Sequence, residues 1–133
     1  MKNKKRSRKS LVKKLDKVFS EYIRRRHSVA DLSECVTCGK IEKWQKLQCG
    51  HFMSRKNYST RWDEKNCQVQ CAGCNVFRYG EQYKFGLWLD AEFGEGSAEE
   101  LLRKSKEIIH LDNFDLMVLI ENYEKKIIDL DKE

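Results

Sequence analysis

The chain has 133 residues, six cysteines and a net charge of +6. This length suits one domain with flexible ends. No apolar run approaches the roughly 18 residues of a membrane span, and the N-terminus is too basic for a signal peptide. We therefore expect a soluble, cytoplasmic protein without membrane contact, in the host cytoplasm if a phage encodes it.

The charges are unevenly distributed along the chain. Residues 1–26 contain twelve Lys or Arg and two acidic residues, whereas residues 90–133 contain six basic and thirteen acidic residues. This distribution favours a polyanion at the N-terminal end, and nucleic acid is the main candidate. A solubilising tail is the alternative.

Helices are predicted towards both ends of the chain. Residues 1–9 are predicted to be a disordered basic arm. Apolar residues recur at steps of three and four from Leu11 to Tyr22, which predicts a basic amphipathic helix over residues 10–27. The same periodicity predicts a C-terminal helical hairpin over residues 97–131, packed on or beside the core.

The segment 33–95 carries the cysteines and two predicted strands, around 45–53 and 67–71. Two C-x2-C pairs in a reducing compartment indicate metal binding rather than disulfides. Four thiolates can close a tetrahedral zinc site. We predict one structural Zn²⁺ per chain, with the ligands Cys35, Cys38, Cys71 and Cys74.

Two cysteines and one histidine leave alternatives open. Cys49 and Cys67 are expected to be small buried strand residues. The alternative is that Cys67 replaces Cys71 or Cys74 as a ligand. His51 is a further alternative zinc ligand, in a Cys3His set or in a second site.

His51 and Asn75 can also supply a different chemistry. A neutral imidazole can deprotonate water, and a divalent ion can neutralise charge on a phosphate. His51 lies where the first strand ends, and Asn75 lies at the start of the following helix, where its carbonyl oxygen can face a hard cation. The alternative for Asn75 is a helix cap.

This order of motifs resembles the HNH (His-Me finger) endonucleases with zinc knuckles. It is similar to phage endonuclease VII and, more closely, to the phage NinG/Rap recombination family. The matching residues, within roughly 35–95, are Cys35-x2-Cys38-Gly39, Gly50-His51-Phe52, Thr60-Arg61-Trp62-Asp63, Asn66, Gln70-Cys71-x2-Cys74-Asn75 and Gly80. The implied fold is α+β: a zinc-stapled ββα-metal (HNH) finger flanked by the N-terminal basic helix and the C-terminal helices.

The resemblance also implies roles for single residues. His51 would be the general base, and Asn75 would bind a catalytic Mg²⁺ or Mn²⁺. Asn66 would tie the loop after the histidine to the second strand, whereas an ordinary turn residue is the alternative.

One position departs from the pattern. Many HNH enzymes place Asp or His directly before the catalytic histidine as a metal ligand, and this chain has Gly50. Asp63 is the first candidate for the missing carboxylate, and Glu64 is the next.

Cations and aromatic residues surround the predicted site. Contacts of such cations with phosphates depend on salt and carry little sequence information. Trp62 could stack on unpaired bases or belong to the hairpin core. The predicted DNA contacts are Arg55, Lys56, Arg61, Lys65 and Arg78.

The predicted function is a metal-dependent DNA endonuclease. The resemblance implies branched recombination intermediates such as junctions, flaps and D-loops as its substrates. Paired cuts would favour a homodimer, and the acidic C-terminal helices offer a surface for a recombination-protein partner. The alternatives are a non-catalytic zinc-finger DNA-binding protein that retains the HNH scaffold and a protein-interaction adaptor.

Overall fold

The computed structural model describes residues 7–132 as a mixed architecture of helices and two small antiparallel sheets. The helices are α1 (Arg8–Arg25), α2 (Tyr58–Arg61), α3 (Gln82–Phe93), α4 (Ser97–Ser105) and α5 (Asn113–Asp131). The strands are β1 (Leu32–Glu34), β2 (Ile41–Lys43), β3 (Gln48–His51) and β4 (Cys67–Gln70). The chain is therefore of the α+β class.

Helix α1 begins earlier than its apolar period predicts. The Ser7 side chain accepts a hydrogen bond from the Ser10 N–H, so the first turn is capped there. The helix runs from Arg8 to Arg25 instead of over residues 10–27. Of the predicted disordered arm, residues 1–6 lie outside the described part, and the last two residues are helical.

The main core lies between α1 and α5 and continues into the cysteine region. Phe19 and Tyr123 meet edge to face, with ring centroids 4.9 Å apart. Cys35, Cys71 and Cys74 belong to the same buried cluster, so the cysteines share one core with the helices. The helical members are Leu11, Leu15, Phe19 and Ile23 of α1 and Leu116, Ile120 and Tyr123 of α5.

The two C-terminal helices have different main partners. Helix α4 packs against α3 and α2, whereas α5 packs against α1. Phe85, Leu89 and Leu101 form a second, smaller core between α3 and α4. The two helices of the predicted C-terminal hairpin, 97–131, thus cover different parts of the protein.

Strands β3 and β4 pair antiparallel and position the predicted site. In their register, Gln48 lies opposite Gln70 and His51 lies opposite Cys67. The pair β1–β2 is a separate small hairpin within the first C-x2-C region. Within residues 7–132, every helix is too short or too polar to cross a lipid bilayer.

Candidate functional site

Four of the six cysteines come together in one cluster. Their sulfur atoms all lie within 4.8 Å of one another, although the two pairs are separated by more than thirty residues. After the first pair the chain turns back at Gly39, whose φ of +81° favours glycine, and the Gly39 N–H donates to the Cys35 carbonyl at 2.9 Å. The cluster consists of Cys35, Cys38, Cys71 and Cys74.

The cluster has the donors and the size for zinc. The Sγ atoms of Cys38 and Cys71 are 3.7 Å apart. Zn–S bonds of about 2.3 Å in a tetrahedron place the sulfurs about 3.8 Å apart. The cluster can therefore hold a zinc ion, as the C-x2-C spacing predicts.

The protonation of the cluster also favours a cation. Burial raises the pKa of Cys35, but hydrogen bonds from the Thr37 side chain and from backbone N–H groups outweigh it and lower this pKa to about 6. The Lys40 N–H lowers the pKa of Cys38, but burial and the neighbouring thiols raise it to about 12. One thiolate thus forms readily, and a bound cation is needed to stabilise several thiolates side by side.

The structure resolves the alternatives for the remaining cysteines. Cys67 does not join the four-cysteine cluster, and neither does His51. Instead, Cys49, His51 and Cys67 form a second group whose ligand atoms lie within 4.8 Å of one another. Cys67 is completely buried, as expected of a strand residue, whereas Cys49, for which burial was also expected, is only half-buried.

A cavity of about 450 Å³ opens beside this second group. Helix α1, strand β3 and the turn after the second C-x2-C pair form its walls, so it brings together residues from distant parts of the chain. The polar side chains that line it are Asp16, Ser20, Arg24, Gln48, Cys49, His51, Arg55 and Asn75. His51 and Asn75, predicted from the motif alone, therefore face the same space.

The ring of His51 is held in a defined state. Its Nε2 lies 3.0 Å from the Arg61 carbonyl oxygen, which can only accept, so Nε2 carries the proton and donates. Burial, the largest cause, lowers the pKa of His51 below its usual 6.5, although the bond to the Arg61 carbonyl acts in the opposite direction. The neutral ring therefore keeps a lone pair on Nδ1.

Asn75 is fixed by a neighbour on β3. Its amide nitrogen donates to the Gln48 Oε1 at 2.8 Å, which leaves its own carbonyl oxygen available to another partner. Asn75 lies within the π-helical turn Gly73–Phe77, one turn before α3, rather than at the start of a regular helix. Its side chain therefore pairs with β3 and does not cap a helix.

Asn66 is a buried connector rather than an ordinary turn residue. Its Oδ1 accepts from the Met53 N–H at 2.7 Å, and its amide donates to the carbonyls of Met53 and Thr60. The side chain thereby joins the segment after His51 to the start of β4. This is the connection that the resemblance implies for Asn66.

The two acidic candidates for a catalytic ligand lie elsewhere. Asp63 pairs with Lys104 and accepts from the backbone N–H groups of Lys65 and Asn66. Glu64 pairs with Lys126 and accepts from the Tyr123 hydroxyl. The structure brings neither to the cavity that His51 lines, because both are bound to the C-terminal helices.

The carboxylate that does line the cavity is Asp16 of α1, which the motif did not indicate. It accepts hydrogen bonds from the Arg61 guanidinium and, at 2.9 Å, from the Trp62 indole N–H. Asp16 thus fixes the residue whose carbonyl holds His51. Asp16 is one of only two acidic residues in the basic helix α1, and this was the signal that could have revealed it.

The predicted DNA contacts divide into three groups. Arg55 lines the cavity and Lys56 beside it is exposed. Arg61 is bound by Asp16 and is not available to a phosphate. Lys65 lies over the Phe93 ring, and the Arg78 guanidinium lies 3.3 Å from the Cys74 sulfur.

The other aromatic and basic residues near the cavity differ in their exposure to solvent. Trp62 is buried, so it belongs to the core rather than to a stacking surface. Lys13 and Lys17 are exposed on α1, at helical spacing from Asp16 and Ser20 of the cavity wall. Arg24 and Arg55 line the cavity itself, so four cations lie in its wall or on the helix that forms part of that wall.

Fold and site define a small α+β protein with a four-cysteine cluster that could bind a metal and a cavity lined by a histidine, an asparagine and two arginines. A model of the NinG family, described as Bacteriophage Lambda NinG protein, matches residues 1–133. The chain therefore belongs to the NinG family, and the resemblance seen in the central motifs extends over the whole sequence. Comparison with curated proteins and with solved structures gives no match.

Proposed function

We propose that this NinG-family chain is a metal-dependent DNA endonuclease of the HNH type. The observation that carries the proposal is the cavity in which His51 and Asn75 lie together, with the His51 ring held by the Arg61 carbonyl. In this proposal, the β3–β4 pair and the turn that contains Asn75 act as the ββα scaffold of the site. Asn66 supports this assignment through its three hydrogen bonds across the hairpin.

His51 is the general base of the proposed reaction. Its Nδ1 lone pair takes a proton from a water molecule, whose oxygen attacks the phosphorus atom. The bond between phosphorus and the 3′-oxygen breaks, which leaves 5′-phosphate and 3′-hydroxyl ends. The depressed pKa of His51 supports this role, because the ring stays unprotonated near neutral pH.

A Mg²⁺ or Mn²⁺ ion would neutralise charge on the phosphate in this reaction. The free carbonyl oxygen of Asn75 fits such a hard cation. Asp16 is the carboxylate in the cavity wall, but its oxygens already accept from Arg61 and Trp62. Asn75 would therefore hold the ion, and Asp16 is a positioning residue.

DNA is the proposed substrate because of the cations in and beside the cavity. Arg24 and Arg55 of its wall, with Lys13 and Lys17 exposed on α1, can contact phosphates, and such contacts do not read sequence. The NinG family membership supports branched recombination intermediates, such as junctions, flaps and D-loops, as the preferred DNA. A homodimer and a recombination-protein partner for the acidic C-terminal helices stay part of the proposal.

A cleavage assay tests the base. The full chain is incubated with labelled four-way junction, flap and linear DNA, with and without Mg²⁺ or Mn²⁺. His51→Ala should lower the cleavage rate by about a hundredfold or more while binding is retained. His110→Ala is the matched control, because His110 is exposed and lies outside the cavity wall.

Two outcomes would contradict the proposal. Undiminished cleavage by His51→Ala would exclude this residue as the base. Binding of branched DNA without cleavage in either metal would support the second candidate, a non-catalytic zinc-finger DNA-binding protein. One observation favours this second candidate. Among residues 7–132, the carboxylate in the cavity wall is that of Asp16, and it is already paired with Arg61 and Trp62.

A further inference from the structure

The second cysteine–histidine group is built into the paired strands. Cys49 and His51 are two residues apart on β3, so their side chains project from the same face. Cys67 lies directly opposite His51 in the register of the sheet. The two sulfurs and a ring nitrogen of His51 lie within 4.8 Å of one another, a spacing that one metal ion can bridge.

This group has one buried side and one open side. Cys67 is completely buried, whereas Cys49 and His51 are partly exposed and line the cavity. Three protein donors would therefore hold an ion at the cavity wall, with a fourth position open to water. Two cysteines and one histidine with an open position form a known donor set for zinc.

The donor chemistry selects the metal. Thiolates and imidazole favour Zn²⁺ and other thiophilic ions, whereas Mg²⁺ and Mn²⁺ prefer oxygen. We propose that Cys49, His51 and Cys67 form a second, exchangeable Zn²⁺ site, separate from the four-cysteine centre. Zinc bound there occupies the histidine and inhibits DNA cleavage; this inhibitory role rests on the proposed function, whereas the site itself does not.

Existing hydrogen bonds explain why this site is exchangeable. The Arg61 carbonyl accepts from the His51 Nε2 at 3.0 Å and from the Cys67 thiol at 3.4 Å. Both groups are therefore satisfied without metal, and zinc must displace protons and hydrogen bonds to bind. The second site should fill only after the four-cysteine centre.

The inhibition follows from the imidazole. Zinc on Nδ1 would remove the lone pair that accepts the proton of the attacking water. Zinc on Nε2 would break the hydrogen bond to Arg61 that orients the ring. Either mode stops His51 from acting as a base.

Metal counting tests the site without any activity measurement. Zinc-loaded full-length protein is dialysed to equilibrium against rising free Zn²⁺, and zinc per chain is measured by elemental analysis. Wild type should bind a second equivalent, and Cys49→Ala should need at least about tenfold more free zinc to do so. Ser20→Ala is the control, because Ser20 lines the same cavity and is not a ligand.

Cadmium provides a second measurement of the same site. Cd²⁺ bound to thiolates absorbs in the ultraviolet, so a second equivalent should add absorbance in wild type and in Ser20→Ala but less in Cys49→Ala. A wild type that stops at one equivalent would overturn the site. An unchanged second equivalent in Cys49→Ala would overturn it equally.

The inhibitory role is tested by cleavage in Mg²⁺ at rising free Zn²⁺, with each protein compared with its own rate at the lowest zinc concentration. Wild type should lose activity over the zinc range that fills the second site, and Cys49→Ala should need at least about tenfold more zinc. Equal sensitivity of the two proteins would overturn the inhibitory role. If wild type cuts no DNA, the proposed function fails, and the metal counts still decide the site.

Discussion

At the residue scale, the glycine before His51 is explained by packing. A Cβ atom on Gly50 would lie 1.9 Å from the Oε1 of Gln70, whose side chain is completely buried. The Gln70 amide donates to the Gly80 carbonyl at 2.9 Å and to the Thr37 hydroxyl at 3.1 Å, so it is held in place. The position that carries a metal ligand in many HNH enzymes is therefore closed to any side chain here.

The buried hydrogen bonds of Asn66 should contribute strongly to the stability of the fold. Asn66→Ala would leave the Met53 N–H and the carbonyls of Met53 and Thr60 without their buried partner. Because unpaired buried polar groups are destabilising, we expect a loss of about 3 kcal/mol in the free energy of unfolding. Urea unfolding followed by circular dichroism measures this loss.

Asn57→Ala is the matched control for Asn66. The Asn57 amide makes one long hydrogen bond, 3.4 Å to the Ser54 carbonyl, near the protein surface. We expect this variant to lose less than about 1 kcal/mol. Equal losses in the two variants would show that Asn66 does not connect the hairpin as described.

At the element scale, α5 is a structural partner of α1 rather than a solvated tail. Leu116 is completely buried in the core that the two helices share, and Tyr123 packs on Phe19. Helix α1, which packs on α5, also contacts β3 and carries Asp16 and Ser20 of the cavity wall. The acidic C-terminal helix therefore packs against the helix that forms one wall of the cavity.

Leu116→Ala tests this packing. Removing a completely buried leucine side chain leaves a cavity between the helices, and we expect a loss of about 3 kcal/mol in the free energy of unfolding. Met117→Ala is the neighbouring control, because 53% of that side chain is exposed, and its loss should stay below about 1 kcal/mol. A larger effect for Met117 in thermal or urea unfolding would contradict this assignment of the buried face.

At the scale of the whole molecule, Glu64 joins three distant parts of the chain. Its carboxylate accepts from the Tyr123 hydroxyl and the Lys126 ammonium of α5, each at 2.9 Å. Arg26, directly after α1, lies 3.6 Å from its other oxygen. Glu64, which sequence reasoning considered as a catalytic ligand, is therefore a link between the hairpin and both long helices.

The depressed pKa of Glu64 makes the free energy of unfolding depend on pH. Burial raises this pKa, but the hydrogen bonds from Lys126 and Tyr123 outweigh it, so it lies below its ordinary value of 4.5. A carboxyl with a depressed folded-state pKa stabilises the fold above the unfolded-state pKa, and the stabilisation is lost as pH falls through the folded-state pKa. Glu64→Gln should therefore cost about 1 kcal/mol near neutral pH, and this difference should shrink in acid.

Urea unfolding from about pH 7 down to about pH 4, at constant free zinc, measures this difference. Zinc loss in acid affects wild type and variant alike, so comparison of the two isolates the carboxyl. Glu121→Gln, at an exposed residue of α5, should change the free energy of unfolding by less than about 0.5 kcal/mol throughout. A Glu64→Gln effect that stays constant down to the lowest pH would argue against the link.

Short sequence patterns predicted the positions of several residues of the candidate site. The C-x2-C spacing predicted the four-cysteine cluster, because each pair places its two sulfurs through a single tight turn. Asn66 was predicted from its place in a motif and has the expected hydrogen bonds. Asp63 was the first candidate for the carboxylate missing at Gly50, and the structure instead places its carboxylate against Lys104 of α4.

The sequence by itself determined the helical stripe of α1, the four-cysteine cluster, the nomination of His51 and Asn75, and membership of the NinG family. The stripe and each C-x2-C pair depend on short spacings that the backbone geometry of a helix or turn converts directly into position. Only the tertiary structure decided that Asp16 holds Arg61, forty-five residues away, and that Cys49 and Cys67 join His51. Such contacts follow from how α1 buries its apolar face on the core and how β3 pairs with β4, and no local spacing encodes either arrangement.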